Sequence, residues 1–272
     1  MSKIKKVIIC ILKWGLGFFF TYPFVYVLST SLKTQQDYFT DSFTLFSAFS
    51  LENYINTIQS GFLWFFVNSI IVLVMSIGLI VITASLASYG LERINFKCNK
   101  WLSVLLVSGM MLPVHASLIP VFVLENHWGL YDTLLGASLP QVAFAIPISV
   151  FIMSQFMQGI PTALFEAARI DGAGHIQIFR KIALPLIQPA LITIIIYNGV
   201  RIWNNFSFPL IFLQSRENYT IPLGLQDFYG EFSVNVPGIL SAIFIATIPI
   251  LILYFILQDK IEAGLTGGAV KE

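Results

Sequence analysis

Long uncharged apolar stretches recur along the chain and are separated by short polar segments. A helix that crosses about 30 Å of hydrocarbon needs roughly 20 predominantly apolar residues. The pattern predicts six membrane-spanning helices, at residues 14–32, 63–89, 102–124, 133–157, 189–213 and 238–257. No polar segment is long enough for a soluble domain, so residues 1–272 are interpreted as a single all-α membrane domain.

Composition supports this interpretation. Hydrophobic residues make up 57% of the chain and charged residues 11%, whereas soluble domains carry about 25% charged residues. A net charge of +1 argues against nucleic acid as a partner, since a polyphosphate demands a strongly basic surface. Cys10 and Cys98 lack the spacing of a metal site or redox pair. Membrane lipid is therefore the expected surrounding.

The distribution of basic residues predicts the orientation, because cytoplasmic loops carry an excess of Lys and Arg. With the N-terminus in the cytoplasm, every basic residue except Lys33, Arg201 and Arg216 lies on the cytoplasmic side. The first apolar run is too long for a signal peptide and no cleavage site follows it. We therefore expect a retained first helix and two cytoplasmic termini, with residues 258–272 as a cytoplasmic tail.

The loop at residues 158–185, between the fourth and fifth spans, differs from the others. Apolar residues around Phe165 have rough helical spacing, and Gly172 and Gly174 punctuate the segment. A second short helix is expected to end where Pro185 removes an amide donor and opens the next span. Spacing alone leaves two interpretations open: a helix that enters a groove on a partner, or an amphipathic helix that only connects two spans.

A spaced motif in this loop distinguishes them. Glu166-Ala167-Ala168, three residues, Gly172, nine residues, Ile182, one residue and Leu184-Pro185 resemble the EAA loop of binding-protein-dependent ATP-binding cassette (ABC) importers. In that family the loop is a coupling helix that docks into a cleft on the cytoplasmic ATPase. The resemblance implies that Glu166 contacts the ATPase, that the two alanines pack in its cleft and that Gly172 makes the bend. The implied docking residues are Glu166, Ala167, Ala168, Asp171, Gly172, Ile182, Leu184 and Pro185.

The similarity continues along nearly the whole chain. Asp171-Gly172-Ala173 resembles the carbohydrate-uptake branch of the family, as does Trp203-Asn204 followed by Pro209-Leu210. The C-terminal segment 264–271 is similar to the tail of MalG-type permeases, which reaches between two ATPase subunits. The implied tail contacts are Gly264, Leu265, Thr266 and Gly268. The departures are Glu272, where glycine is commoner, and Arg201, where a neutral residue is expected.

The resemblance implies a multi-pass permease in a bacterial or archaeal plasma membrane that moves a sugar or oligosaccharide. Its implied partners are a second homologous permease, two ATPase subunits and an extracytoplasmic solute-binding protein. The chain has no G-x-x-x-x-G-K-[ST] phosphate-binding motif, so ATP and Mg²⁺ are expected on the ATPase. No cofactor, metal or catalytic residue is predicted here.

Arg201, Asn204 and Asn205 lie in the fifth predicted span, within about one helical turn of one another. An arginine at a span centre costs about 2.5–3.5 kcal/mol on insertion scales, so it should face protein or a water-filled cavity. These residues either line the translocation path and contact sugar hydroxyls, or bond to the partner permease. Arg201 also leaves open an anionic cargo, such as glycerol phosphate, or another small solute. A stand-alone channel or secondary carrier, in which the EAA-like loop is coincidental, is a remote alternative. The predicted spans lack the Asp and Glu that ion-coupled carriers usually place at depth, which argues against a carrier.

Overall fold

The computed structural model describes residues 3–228 and 234–269, without some side chains near either end. The elements over these ranges are helical, which confirms the predicted all-α class. The α-helices are α1 Lys3–Ser31, α2 Gln35–Thr40, α3 Glu52–Gln59, α4 Phe62–Arg93, α5 Asn99–Gly109, α6 Leu118–His127, α7 Leu134–Gln158, α8 Thr162–Ile170, α9 His175–Ile178, α10 Leu184–Leu186, α11 Gln188–Trp203, α12 Ser207–Phe212, α13 Ile221–Gly224 and α14 Val236–Ala269. Short 3-10 helices occupy His115–Ser117, Arg216–Asn218 and Leu225–Phe228, and a π-helical turn occupies Phe179–Ala183.

Several of these helices suit a membrane. Within the described ranges, three are long and apolar enough to cross one: Ile8–Ser31 within α1, α4 and α7. A fourth candidate is the pair His175–Leu186 and Gln188–Trp203, whose axes are bent by 72°. Val236–Ile252 in α14 is a shorter apolar helix.

Two of the predicted spans are not continuous helices. In residues 102–124, α5 stops at Gly109 and the chain turns through Pro113, which has no amide hydrogen and disfavours helix at the residue before it. In residues 189–213, α11 stops at Trp203, and Asn205 Oδ1 then accepts the amide hydrogen of Phe208 at 3.0 Å. A side chain that satisfies the backbone locally competes with helix continuation.

The chain divides into two compact units, one formed by residues 1–64 and 224–251 and the other by residues 65–223 and 252–272. In the first unit, Asn53 Nδ2 donates to the carbonyl oxygens of Ser31 and Lys33 at 3.0 and 2.7 Å, tying α3 to the end of α1. The hydroxyls of Thr57 and Ser241 lie 2.9 Å apart and join α3 to α14.

The second unit contains the larger hydrophobic core. Buried residues of α4, α7 and α11 meet there, including Ile80, Met153 and Ile194, which have no exposed area. The helix α8 contributes Phe165 and Ala168 to the same core. This packing fixes the segment that carries the predicted docking motif against the apolar helices.

Candidate coupling segment and polar cavity

Helix α8 presents two distinct faces. Phe165 and Ala168 are buried, with 3% and 9% of their surfaces exposed, whereas Glu166 and Ala167 are exposed. Ile170 is 86% exposed, although it is a large apolar residue. Of the two predicted cleft alanines, the structure therefore leaves Ala167 available to a partner and places Ala168 in the chain's own core.

The end of α8 is a Schellman motif. Gly172 has a φ of +83°, a left-handed conformation that costs other residues about 1–2 kcal/mol. Its amide donates to Arg169 O at 3.0 Å, and the amide of Ala173 donates to Ala168 O at 2.9 Å. A Cβ at Gly172 would meet nothing within 4 Å, so the requirement for glycine is conformational and not steric. Asp171, just before it, is exposed.

The second half of the segment is longer than expected. Instead of ending before Pro185, the helical path runs through the π turn and α10 to Leu186, and the 72° bend follows at Ile187. Pro185 lies in α10 directly after the π turn, and Pro189 is the second residue of α11, a position where a missing amide hydrogen is tolerated. Ile182 and Leu184 are half-buried, and Pro185 is exposed.

A basic concave surface accompanies this segment. It is lined by Gly174, His175, Ile176, Gln177, Arg180 and Lys181 and has a volume of about 840 Å³. Arg180 and Lys181 are exposed, as is Ile176. The segment thus offers a partner both an acidic residue, Glu166, and two basic ones.

Arg93 of α4 anchors the candidate coupling segment, which is the loop at residues 158–185 that contains α8. Its guanidinium donates to Met157 O, and to Ile160 O at 2.8 Å, which satisfies carbonyls at the end of α7. The same group lies 4.3 Å from the ring centroid of Phe165. Arg169 of α8 in turn donates to Arg93 O at 3.0 Å. In the sequence, Arg93 is one of the basic residues that set the predicted orientation, and a basic residue in the last turn of a helix is also typical of a carbonyl ligand.

A cavity of about 320 Å³ lies among α7, α11, α12 and the turn at His115–Ser117. Its polar lining residues are His115, Gln141, Asn198, Arg201, Asn205 and Ser207. Two of the three predicted path residues, Arg201 and Asn205, therefore come together here. Asn204 is not among the lining residues, and its Nδ2 donates to Val200 O at 2.8 Å.

Two amides of this cavity, those of Gln141 and Asn198, were missed in the sequence, because single polar residues within apolar runs form no spaced pattern. Gln141 is 5% exposed, its Nε2 donates to Ala137 O at 2.7 Å, and its Oε1 has no hydrogen-bond partner. Asn198 is 1% exposed and donates to Ser149 Oγ and Ile194 O, both at 2.9 Å. Arg201 donates to the Tyr197 hydroxyl at 3.0 Å, and the ring of Tyr197 lies 5.4 Å from the guanidinium.

Asp132, just before α7, joins that helix to the turn that follows α12. Its carboxylate accepts the amide hydrogens of Gln214 and Ser215 at 2.8 and 2.9 Å, and further bonds from the Ser215 hydroxyl and Asn218 Nδ2. Burial alone would raise the pKa of Asp132, but these hydrogen bonds outweigh it and lower the pKa to about 2. The residue has a φ of 57°.

The predicted tail contacts lie at the far end of α14. The backbone of α14 continues to Ala269. The side chains of Gly264, Leu265, Thr266 and Gly268, and the whole of Glu272, lie outside the described residues.

Comparison with known proteins identifies the family. The model for the binding-protein-dependent transport system inner membrane component matches residues 80–267. An ABC transporter permease protein of Caldicellulosiruptor sp. (strain Rt8B.4) is 38% identical over 250 residues, covering 92% of this chain and 91% of that protein. The melibiose/raffinose/stachyose import permease MelC of Bacillus subtilis is 37% identical over 252 residues, covering 92% and 91%.

A solved structure shares the fold. One chain of a bacterial ABC transporter involved in the import of the acidic polysaccharide alginate matches with a TM-score of 0.83, covering 95% of this chain and 98% of that chain at 22% identity. Together with the helices suited to a membrane, these likenesses identify a membrane-integral transport component. The chain belongs to the family of binding-protein-dependent transport system inner membrane components, the non-catalytic permease subunits of ABC importers.

Proposed function

We propose that this permease moves a sugar or oligosaccharide across a bacterial or archaeal plasma membrane together with a second homologous permease. A relative at 37% identity is named for melibiose, raffinose and stachyose, which supports a saccharide cargo. ATP and Mg²⁺ bind to two ATPase subunits, and an extracytoplasmic solute-binding protein delivers the cargo. The observation that carries the proposal is the exposed edge of α8, which ends at a left-handed Gly172 and is anchored through Phe165.

The docking surface on the ATPase side is the exposed edge of the coupling segment. Glu166 and Ala167 contact the ATPase, and Ala168 supports them from inside the core. Gly172 and the adjacent Asp171 set the bend, while Ile182, Leu184 and Pro185 hold the following turn. The tail residues Gly264, Leu265, Thr266 and Gly268 reach between the ATPase subunits. Closure of the ATPase dimer moves α8 and thereby turns the cavity outward.

Six spans with both termini in the cytoplasm fit the excess of basic residues on that side. The third and fifth spans are broken helices, as α5–α6 and α11–α12 are separated by short turns. Broken helices are tolerated at membrane depth where they line protein or a water-filled cavity. Arg201 and Asn205 line such a cavity, and with the neighbouring Asn204 they form this chain's part of the translocation path.

The experiment is purification of the tagged chain from its own cells in a gentle detergent, with identification of every co-eluting protein. Recovery of a phosphate-loop ATPase and a second six-span permease supports the importer. Replacing Gly172 with Trp should remove the ATPase, whereas Gly17→Trp should retain it, because Gly17 is an exposed residue of α1 with nothing within 4 Å of its Cβ position. A chain that transports alone, without ATP, would refute the proposal and support a channel or carrier.

Arg201 favours one second candidate, an importer for an anionic solute such as glycerol phosphate. Competition between raffinose and glycerol 3-phosphate for uptake separates the two cargoes. Arg201→Ala in an assembled complex should impair sugar uptake if the residue lines the path. Normal uptake kinetics in that variant would instead indicate a role in packing.

A further inference from the structure

We propose that residues 39–51, the phenylalanine loop, insert their aromatic rings into the boundary between lipid and water beside the C-terminal end of α1. This loop runs from the last residues of α2 to the start of α3. The partner that covers its exposed rings is the lipid bilayer. The inference requires only that α1 crosses the membrane, so it is independent of the cargo and of the ATPase.

The phenylalanine loop exposes large apolar side chains. Four rings have between 55% and 80% of their surfaces exposed, those of Phe39, Phe43, Phe46 and Phe49. Residues 42–51 contain no charged residue. Exposed apolar surface of this extent marks a binding site for a protein or for a membrane. The position of the loop along α1 distinguishes these two partners.

Both ends of the loop are fixed just beyond the end of α1. Lys33 Nζ donates to Asp41 O at 2.7 Å, and the Lys33 side chain is completely buried. The amide of Ser50 donates to Leu32 O at 2.7 Å. Because Leu32 and Lys33 directly follow the last residue of α1, the loop starts and finishes outside that helix. The flanking charges of Asp41 and Glu52 therefore stay on the water side.

The middle of the loop turns back along α1. The Tyr26 hydroxyl donates to Ser42 O at 3.3 Å, and the amide of Phe46 donates to Ser29 Oγ at 2.6 Å. Because side chains on a helix lean toward its N-terminus, these bonds place the middle of the loop beside the last two turns of α1.

The length of α1 converts this position into a depth. The 24 residues of Ile8–Ser31 extend about 36 Å, compared with about 30 Å of hydrocarbon. With this helix centred in the bilayer, Ser29 lies at the edge of the hydrocarbon. Phenylalanine and leucine side chains insert at this boundary in proteins that bind to membrane surfaces. Rings at this depth contact lipid and not a protein that docks from the water.

The backbone of Phe46 is strained at the same place. Its φ of 53° is left-handed, a conformation that is an outlier for a bulky residue and that glycine adopts freely. Strain of this kind is typical of positions where a side chain has a role. Contact with lipid gives the ring of Phe46 that role.

The test measures the depth of the loop. The chain is purified with every protein that accompanies it and is reconstituted in lipid nanodiscs. Cys10 and Cys98 are first replaced by Ser, because both are exposed and would react with a thiol label. A nitroxide spin label is then attached at Phe43→Cys or at Phe49→Cys. Collisions with dissolved oxygen indicate lipid, and collisions with a water-soluble nickel complex indicate water.

Two further labelled sites calibrate the measurement. Phe18→Cys is the lipid reference, since Phe18 is 72% exposed near the middle of Ile8–Ser31. Gln36→Cys is the water reference, since Gln36 is an exposed polar residue of α2. We expect the labels at Phe43 and Phe49 to resemble the lipid reference, with collisions with oxygen several-fold more frequent than collisions with the nickel complex.

A second comparison separates the ring of Phe46 from its backbone. With the label at Phe43, Phe46→Gly should raise collisions with the nickel complex several-fold, although glycine removes the strain. Ser47→Gly should leave the collisions unchanged, because it adds backbone freedom at the adjacent exposed residue and retains every ring.

Labels at Phe43 and Phe49 that resemble the water reference would overturn the inference. Little collision with either reagent would overturn it as well, since a protein would then cover the loop. Equal results for Phe46→Gly and Ser47→Gly would exclude insertion of the Phe46 ring. In each of these cases the proposed importer would stand. A Phe18 label that resembles the water reference would show that α1 does not cross the membrane, and the inference and the six-span arrangement would fail together.

Discussion

The guanidinium of Arg93 lies 4.3 Å from the ring centroid of Phe165 and joins the last turn of α4 to α8. The bond from Arg169 to Arg93 O crosses the same junction in the opposite direction. Arg93 also holds Ile160 O, which precedes α8. We therefore expect a force applied to α8 to be transmitted to the C-terminal end of α4, a helix long enough to cross a membrane.

Replacing Arg93 should uncouple transport from ATP hydrolysis. Arg93→Ala loses the contact with Phe165 and two bonds to carbonyls, while Arg93→Lys keeps the charge but not the planar fork. We expect a loss of about 2 kcal/mol or more in stability for Arg93→Ala, and several-fold less sugar moved per ATP in both variants. Thermal melting and paired uptake and ATPase assays measure this. Lys97→Ala, an exposed site in the same loop, is the control. Unchanged stoichiometry in Arg93→Ala would refute the transmission role.

Alanine at Gly172 should destabilise the coupling segment. The left-handed φ of +83° costs an alanine about 1–2 kcal/mol although no neighbour obstructs its Cβ. Gly174→Ala is matched, since nothing lies within 4 Å there either and its φ is ordinary. Hydrogen exchange of the α8 amides should be faster in Gly172→Ala than in Gly174→Ala. Equal exchange rates of the α8 amides in the two variants would mean that the Schellman motif does not limit local unfolding of α8.

Alanine at Gly136 should destabilise by steric overlap. A Cβ there would lie 2.2 Å from Leu130 O, a backbone atom that cannot rotate away. Such overpacking typically costs about 1–3 kcal/mol. Gly78→Ala in α4 meets nothing within 4 Å and should be neutral or slightly stabilising. Melting temperatures in detergent compare the two, and similar values for both variants would contradict the close approach of Leu130.

The contribution of Asp132 should depend on pH. Its folded pKa of about 2 lies below the ordinary value of 3.8, so the ionised group stabilises the fold above about pH 4. That contribution disappears as pH falls through 2. Asp132→Asn tolerates the left-handed backbone but lacks the charge. We expect the variant to melt below wild type at pH 7 and the gap to narrow as pH falls below 4. A gap independent of pH would exclude the carboxylate as the cause.

Uncharged runs that end in polar residues correspond to two of the long helices. The predicted spans at 63–89 and 133–157 correspond to α4 and α7, with α7 displaced by one residue at each end. The breaks at Pro113 and after Trp203 were harder to predict, because residues on both sides remain apolar. Motif spacing predicted Ala168 as a docking residue. It could not predict that the side chain faces the chain's own core, because that depends on how α8 packs.

The cavity illustrates the limit of motif reasoning. Arg201 was predicted as a path residue because a charged residue within an apolar run is unusual. Gln141 is a lone uncharged amide on a different helix, so only the fold brings it beside Arg201 and Asn205. Arg93 was visible as a charge, but its role depends on carbonyls more than 60 residues away, at Met157 and Ile160.

The bend at Ile187 couples rotation of one helix to displacement of the next, because the two helix axes are not collinear. A twist about the axis of His175–Leu186 leaves that arm in place but swings α11 sideways, because the two axes meet at 72°. Arg201 lies about 20 Å along the swinging arm at 1.5 Å per residue. A twist of about 10° at the basic surface would therefore sweep the guanidinium through about 3 Å, enough to break and remake its hydrogen bonds. Rotation of the helix His175–Leu186 about its axis would thus displace the C-terminal end of α11 sideways.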